Sequence, residues 1–267
     1  MESFSEIMSA LQQQLRADSL FGLRFVPLAP EVAQNLGRVE SILRNPQSSA
    51  PGSAELPAHS ALTVDTAEKQ QRLLSLDEGQ VRGCRKCVLC QSRTQTVFGQ
   101  GSALARLVFV GEGPGFEEDK QGLAFVGAAG QLLTKMIGAM GLTREEVYIC
   151  NVVKCRPPGN RTPLPEEIAA CNPYLREQLE IISPEVIVAL GAPASQTLLN
   201  TGIPIGRLRG RFHDYYLSGQ PGVGPAVPVM PTYHPAYLLR TPGDKGKTWD
   251  DLKQVISALG LKPAQSG

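Results

Sequence analysis

Nothing in this 267-residue chain points to a membrane. No apolar run is long enough to span a bilayer. The opening Met1-Glu-Ser-Phe-Ser-Glu6 lacks the basic stretch followed by an apolar one that marks a secretory signal. A surplus of charge is missing as well. Lys and Arg number 26 against 25 Asp and Glu, a net charge of +1, so any basic footprint for a nucleic acid must be local. There is no internal repeat. A third glycine is absent after Gly111-x-Gly113, where Phe116 stands, which leaves a poor match to a dinucleotide fingerprint. What is present is ordinary for a globular protein: 42% hydrophobic and 19% charged residues, on a length that suits one domain with an appendage. Six cysteines without an export signal indicate a reducing cytoplasm, where clustered thiols serve metals or catalysis rather than disulfides.

Residues 2–16 place Phe4, Ile7, Met8, Leu11 and Leu15 at helical spacing, which predicts an N-terminal helix packing on the body or on a protein partner. From Asn45 to about Asp65 the composition turns to Pro, Ser, Ala and Gly, as in a flexible linker. An extension over 1–75 and a main domain over 76–262 are therefore expected, with a helix over 67–82. The main domain alternates strands (107–111, 147–151, 185–190, 227–231) with helices (129–140, 163–182, 192–200, 249–259). Buried strands alternating with helices predict a three-layer α/β/α sandwich around a parallel sheet.

The ends of those strands carry unusual residues. Leu107-Val-Phe-Val110 is followed by Gly111-Glu-Gly-Pro-Gly115, which halts the strand and leaves the Glu112 carboxylate at its end. Asn151 ends the second strand and Thr232-Tyr-His-Pro235 follows the fourth. Ligands bind at the carboxyl ends of parallel strands, so Glu112, Asn151 and His234 are expected to share one pocket.

Cys84-Arg-Lys-Cys87-Val-Leu-Cys90 supplies a C-x-x-C pair with an extra thiol, and Cys155 and Cys171 lie downstream. Four thiolates in two pairs fit either tetrahedral zinc or an iron–sulfur cluster. Cys150, at a strand end, is expected to be buried and inert. Local basic strips at Lys154, Arg156 and Arg161, at Arg207, Arg209 and Arg211, and at Arg240, Lys245 and Lys247 are candidates for phosphate contacts.

These residues resemble the family 4 uracil-DNA glycosylases, the thermostable iron–sulfur type. The matching stretches are Cys84-Arg-Lys-Cys87 with Arg93-Thr94, Val97-Phe-Gly99, Gly111–Gly115 with Glu118-Asp119, and Gly122-Leu-Ala-Phe-Val-Gly127. Asn151–Pro163, Cys171, Val188-Ala-Leu-Gly191 and Tyr233–Arg240 follow in the same order, so the resemblance spans about residues 80–258. It implies a four-stranded parallel sheet and an enzyme that flips uracil out of single- or double-stranded DNA, hydrolyses its N-glycosidic bond and leaves an abasic site. Glu112 and His234 are then the catalytic pair: Glu112 orients a water and offsets charge on the sugar, and His234 donates to uracil O2. Gly113, Phe125, Asn151 and His234 are the implied uracil contacts, with Phe125 stacking and Asn151 reading O4 and N3–H. The resemblance further implies a [4Fe–4S] cluster on Cys84, Cys87, Cys155 and Cys171, with Cys90 outside the ligand set. Leu238, Leu239 and Arg240 resemble a loop that inserts into the minor groove, and Arg156, Arg161 and Arg209 join them as expected DNA contacts. With no lysine or other amine read in these motifs, a monofunctional enzyme is expected. It is also expected to be monomeric and cytoplasmic. Gly113 stands where many members have Ala, and no basic insert of the cross-linking branch is found between Phe125 and Cys155.

Overall fold

The computed structural model describes residues 58–263. The expected N-terminal helix over 2–16 lies outside them. Along the described chain the elements are α1 (Ala58–Leu76), β1 (Gln100–Gly101), β2 (Leu107–Gly111), α2 (Phe116–Gln121), α3 (Ala128–Ala139), β3 (Tyr148–Asn151), α4 (Pro165–Ile182), β4 (Val186–Leu190), α5 (Ala192–Leu198), α6 (Ile205–Leu208), β5 (His213–Tyr216), β6 (Ala226–Thr232), α7 (Pro235–Arg240) and α8 (Lys245–Leu259). Helix α1 begins inside the stretch expected to be linker. It also runs across the boundary expected at residue 75, burying Leu73 and Leu76 in the main core.

The sheet has six strands in the order β1-β3-β2-β4-β6-β5. Its centre, β3-β2-β4-β6, is the expected four-stranded parallel sheet. The expectation of four strands is corrected at both edges, where β1 and β5 pair antiparallel with β3 and β6. Strands β2, β3 and β4 are buried at every position, because helices cover both faces.

Alternation along each strand sorts side chains between two cores. Val108, Val110, Tyr148, Cys150, Ile187, Ala189 and Val229 pack on one face with Leu175 and Leu179 of α4, Ala194 of α5 and Leu76 of α1. Leu107, Phe109, Ile149, Val188, Leu190 and Met230 pack on the other with Leu133 and Ile137 of α3 and Leu252, Val255 and Ile256 of α8. This is the three-layer α/β/α arrangement. The register sets Gly111 beside Asn151 and Leu190 beside Thr232, so the carboxyl ends of the central strands form one rim.

Candidate active site

A cavity of about 400 Å³ opens on that rim, within the range of small-molecule sites. Glu112, Gly113, Phe125, Asn151, Arg161, His234 and Arg240 all line it. Glu112, Asn151 and His234, the three groups expected from strand ends, therefore meet here, and a separate loop brings Phe125 beside them.

Glu112 leaves β2 in a loop stitched to the one after β3. Val152 N–H donates to the Gly111 carbonyl at 2.9 Å and Val153 N–H to the Glu112 carbonyl at 3.1 Å. Burial raises the Glu112 carboxyl above its ordinary 4.5, against a hydrogen bond from Thr162 that lowers it. Asn151 is 1% exposed, and its Oδ1 is buried without a hydrogen-bond partner among the described residues. An acceptor in that state has a cost unless a ligand supplies the donor.

His234 precedes α7, and its Nδ1 accepts the Ala236 N–H at 3.1 Å. That bond fixes the neutral tautomer with its proton on Nε2, the nitrogen left for a ligand. Burial, with Arg240 nearby adding to it, lowers the imidazole to about 4. At neutral pH His234 is a donor without charge.

Phe125 closes the cavity with its ring centroid 5.6 Å from that of His234. It sits at φ 55°, a left-handed conformation a bulky residue adopts only under constraint. The constraint comes from two carboxylate oxygens. Glu118 Oε1 accepts from Val126 N–H and Gly127 N–H, both at 2.9 Å, while its Oε2 accepts from Gly115 N–H at 3.1 Å. Glu118 thus ties the loop carrying Phe125 to the loop carrying Glu112, a positioning role that the sequence did not reveal. Gly111 completes the arrangement, since a Cβ there would lie 2.4 Å from Asn151 Oδ1 and 2.5 Å from Phe125 Cζ.

The expected DNA contacts divide. Arg240 and Leu239 are exposed, with Leu239 at 45%. Leu238 is corrected: at 1% exposure it packs into the protein, because the first turn of α7 points it inward. Arg209 is drawn to Asp251, whose side chain is fully buried, at 2.7 Å, and also donates to the Lys247 carbonyl, so its guanidinium is engaged within the fold. Arg161 lines the cavity, yet forms a two-pronged pair with buried Glu167 at 2.6 and 2.8 Å. Arg156 is partly exposed, is held by Asn160 Oδ1 at 2.7 Å and lies over the Phe116 ring. Lys154, expected in a basic surface loop, is 1% exposed. Lys86 and Lys154 do lie in the stretches said to hold no amine; neither lines the cavity.

Cys84, Cys87, Cys155 and Cys171 line a second, smaller cavity, with Cys90 beside them. Among the described residues no three His, Cys, Asp or Glu groups converge as ligands of a single ion. A four-iron cube takes one thiolate at each iron, so its ligands need not meet at a point. The donors around the sulfurs suit such a group: Arg93 Nη1 to Cys155 Sγ at 3.1 Å, Lys154 N–H to Cys171 Sγ at 3.2 Å and Tyr174 O–H to Cys84 Sγ at 3.3 Å. Burial pushes the Cys155 thiol up to about 11 and raises Cys87 and Cys171, so ligation would have to displace protons. Cys150 is buried in β3, apart from this cavity's lining.

A family model described as the uracil DNA glycosylase superfamily matches residues 98–253. A type-4 uracil-DNA glycosylase of Thermotoga maritima is 50% identical over 172 residues, 64% of this chain and 85% of that protein. A type-4 enzyme of Saccharolobus solfataricus is 43% identical over 195 residues, covering 71% and 88% of the two chains. One of Archaeoglobus fulgidus is 44% identical over 194 residues, covering 70% and 95%.

Proposed function

The chain belongs to the uracil DNA glycosylase superfamily, and from that premise we propose that it removes uracil from DNA by hydrolysing the N-glycosidic bond. The observation that carries this is the meeting of Glu112, Asn151, Phe125 and a neutral, Nε2-protonated His234 around one cavity. Uracil inside a duplex is out of reach, so the nucleotide must be extruded into that cavity. Phe125 then stacks on the base, and Asn151 Oδ1 takes the N3–H that its present lack of a partner awaits. Cytosine, with no proton on N3, leaves the oxygen unsatisfied.

Cleavage leaves positive charge on the sugar and negative charge on the base. His234 Nε2–H points its donor at O2, where the charge gathers, and being uncharged it need not surrender a proton. Glu112 orients a water toward the sugar and offsets the oxocarbenium charge. Its raised affinity for protons suits a group that accepts one from that water. No amine lines the cavity among the described residues, so an abasic site is the expected product.

Cys84, Cys87, Cys155 and Cys171 would hold a [4Fe–4S] cluster. Bound there, it would serve as a structural cross-link between the Cys84–Cys87 turn and the loop from Lys154 to Arg161. Arg240 and Leu239 face DNA beside the cavity, with Arg156 contributing to backbone binding. Incubating the purified chain with a labelled oligonucleotide containing one uracil tests the proposal. Free uracil with strand scission only after alkali is expected, and an intact strand after alkali would refute it.

A further inference from the structure

Lys154 is one of the largest fully buried side chains of the protein. Its ammonium donates to the Asn151 carbonyl at 2.7 Å and to Gln178 Oε1 at 2.5 Å, both neutral acceptors. Gln178 is itself fixed, its Nε2 donating to the Phe98 carbonyl at 3.0 Å and to Tyr148 Oη at 3.1 Å. No carboxylate oxygen lies within ion-pair distance of Lys154 among the described residues. A buried ammonium with no anion is strongly disfavoured. Yet Lys154 lines the thiol cavity, is next in sequence to Cys155, and gives its own N–H to Cys171 Sγ at 3.2 Å.

We propose that Lys154 is the buried counter-charge of the iron–sulfur cluster and the tether that joins it to the uracil-reading Asn151. The proposal rests on the reading above. Four thiolates leave the cluster with net negative charge, the missing partner for the ammonium. One residue then touches both sites: its backbone N–H meets a cluster sulfur, and its side chain holds the carbonyl of the residue that reads the base. The cluster thereby acts on substrate binding by geometry, without redox chemistry in the reaction. Lys154 is a positioning residue.

The test uses holoenzyme purified anaerobically, as wild type, Lys154→Met and Lys154→Gln. Both substitutions remove the charge, whereas the glutamine retains a donor for the Asn151 carbonyl. The cluster's reduction potential, read by protein-film voltammetry, shifts to more negative values in both, because the more reduced state loses its nearby cation. Lys154→Met lowers kcat/KM on a uracil oligonucleotide about ten-fold, chiefly through KM, and Lys154→Gln recovers part of that loss. Wild-type potential in both variants would overturn the counter-charge. Equal loss of kcat/KM in both would overturn the tether. A wild-type chain without iron would overturn the cofactor reading and this proposal together. A wild type that holds iron but releases no uracil would overturn the glycosylase reading and the tether with it, leaving the counter-charge to stand or fall on the potential, which is measured without DNA.

Discussion

Glu112 and His234 face the same cavity, yet burial acts on them in opposite senses. It raises the carboxyl above 4.5 and lowers the imidazole to about 4. As the medium is acidified, protonation of Glu112 would remove the base proposed for the water, while burial keeps His234 neutral down to about 4. The acid limb of kcat/KM is predicted to fall with a midpoint above 4.5, and to vanish in Glu112→Gln on a much lower plateau. A limb unchanged by that substitution would assign it elsewhere. Gly111 offers a second test at this scale. Gly111→Ala puts a methyl group into Asn151 Oδ1 and the Phe125 ring, a strain of about 1–3 kcal/mol. Uracil excision should fall at least ten-fold and the thermal midpoint by roughly 2–12 °C, measured by steady-state kinetics beside a melting curve. Glu112, Asn151 and His234 were legible because each stands at the end of a strand or just past it. What holds them was not. Lys154 and Arg209 read as surface charge because a sequence counts cations without showing Asn151, Gln178 or Asp251 next to them.

At the scale of elements, the central strands were legible because both faces are covered and nearly every residue is apolar. The edges were not. β1 has two residues, and β5, His213-Asp-Tyr-Tyr216, buries only Tyr215 and has no apolar run. Helix α2, Phe116–Gln121, also escaped, since its polar sequence has no apolar stripe. Its worth lies in what it presents: Glu118 clamps the Phe125 loop, and the neighbouring Asp119 binds the other way. Asp119 is 3% exposed and accepts Thr94 N–H at 2.9 Å and Thr94 O–H at 2.7 Å, latching the segment after the cysteine turn onto the active-site helix. Asp119→Ala leaves two donors without their acceptor and is predicted to reduce stability by about 1–3 kcal/mol. Asp119→Asn, which keeps an acceptor, should recover most of it in denaturant unfolding. Equal losses in the two variants would contradict the latch. α7 shows a finer limit. Leu238 and Leu239 are indistinguishable in sequence, and only the rotation of about 100° between successive helical residues buries the first and exposes the second.

For the molecule as a whole, the parallel centre of one mixed sheet supports two adjoining sites. The rim of β2, β3 and β6 carries the cavity, and the chain leaving β3 passes from Asn151 through Lys154 to Cys155 within a single turn of loop. If the four cysteines hold the proposed cluster, removing its iron should loosen the cysteine turn and residues 154–161 ahead of the α3–α8 face. Amide exchange on chelator-treated protein checks this: faster exchange confined to those segments is predicted, and uniform loosening would count against a local cross-link. With a near-neutral chain, the proposed DNA binding would fall to a few cations at the rim, among them Arg240, which lines the cavity. The central claim is that this rim hydrolyses a base from DNA rather than merely holding one. It is tested most directly by comparing wild type with Glu112→Gln on one uracil oligonucleotide, measuring uracil released in a single turnover and binding on a native gel. The account predicts release by the wild type, a loss of at least a hundred-fold in the variant (on the order of the contribution of a positioned acid or base), and binding retained by both. Release undiminished by the substitution, or binding without release by the wild type, would contradict it.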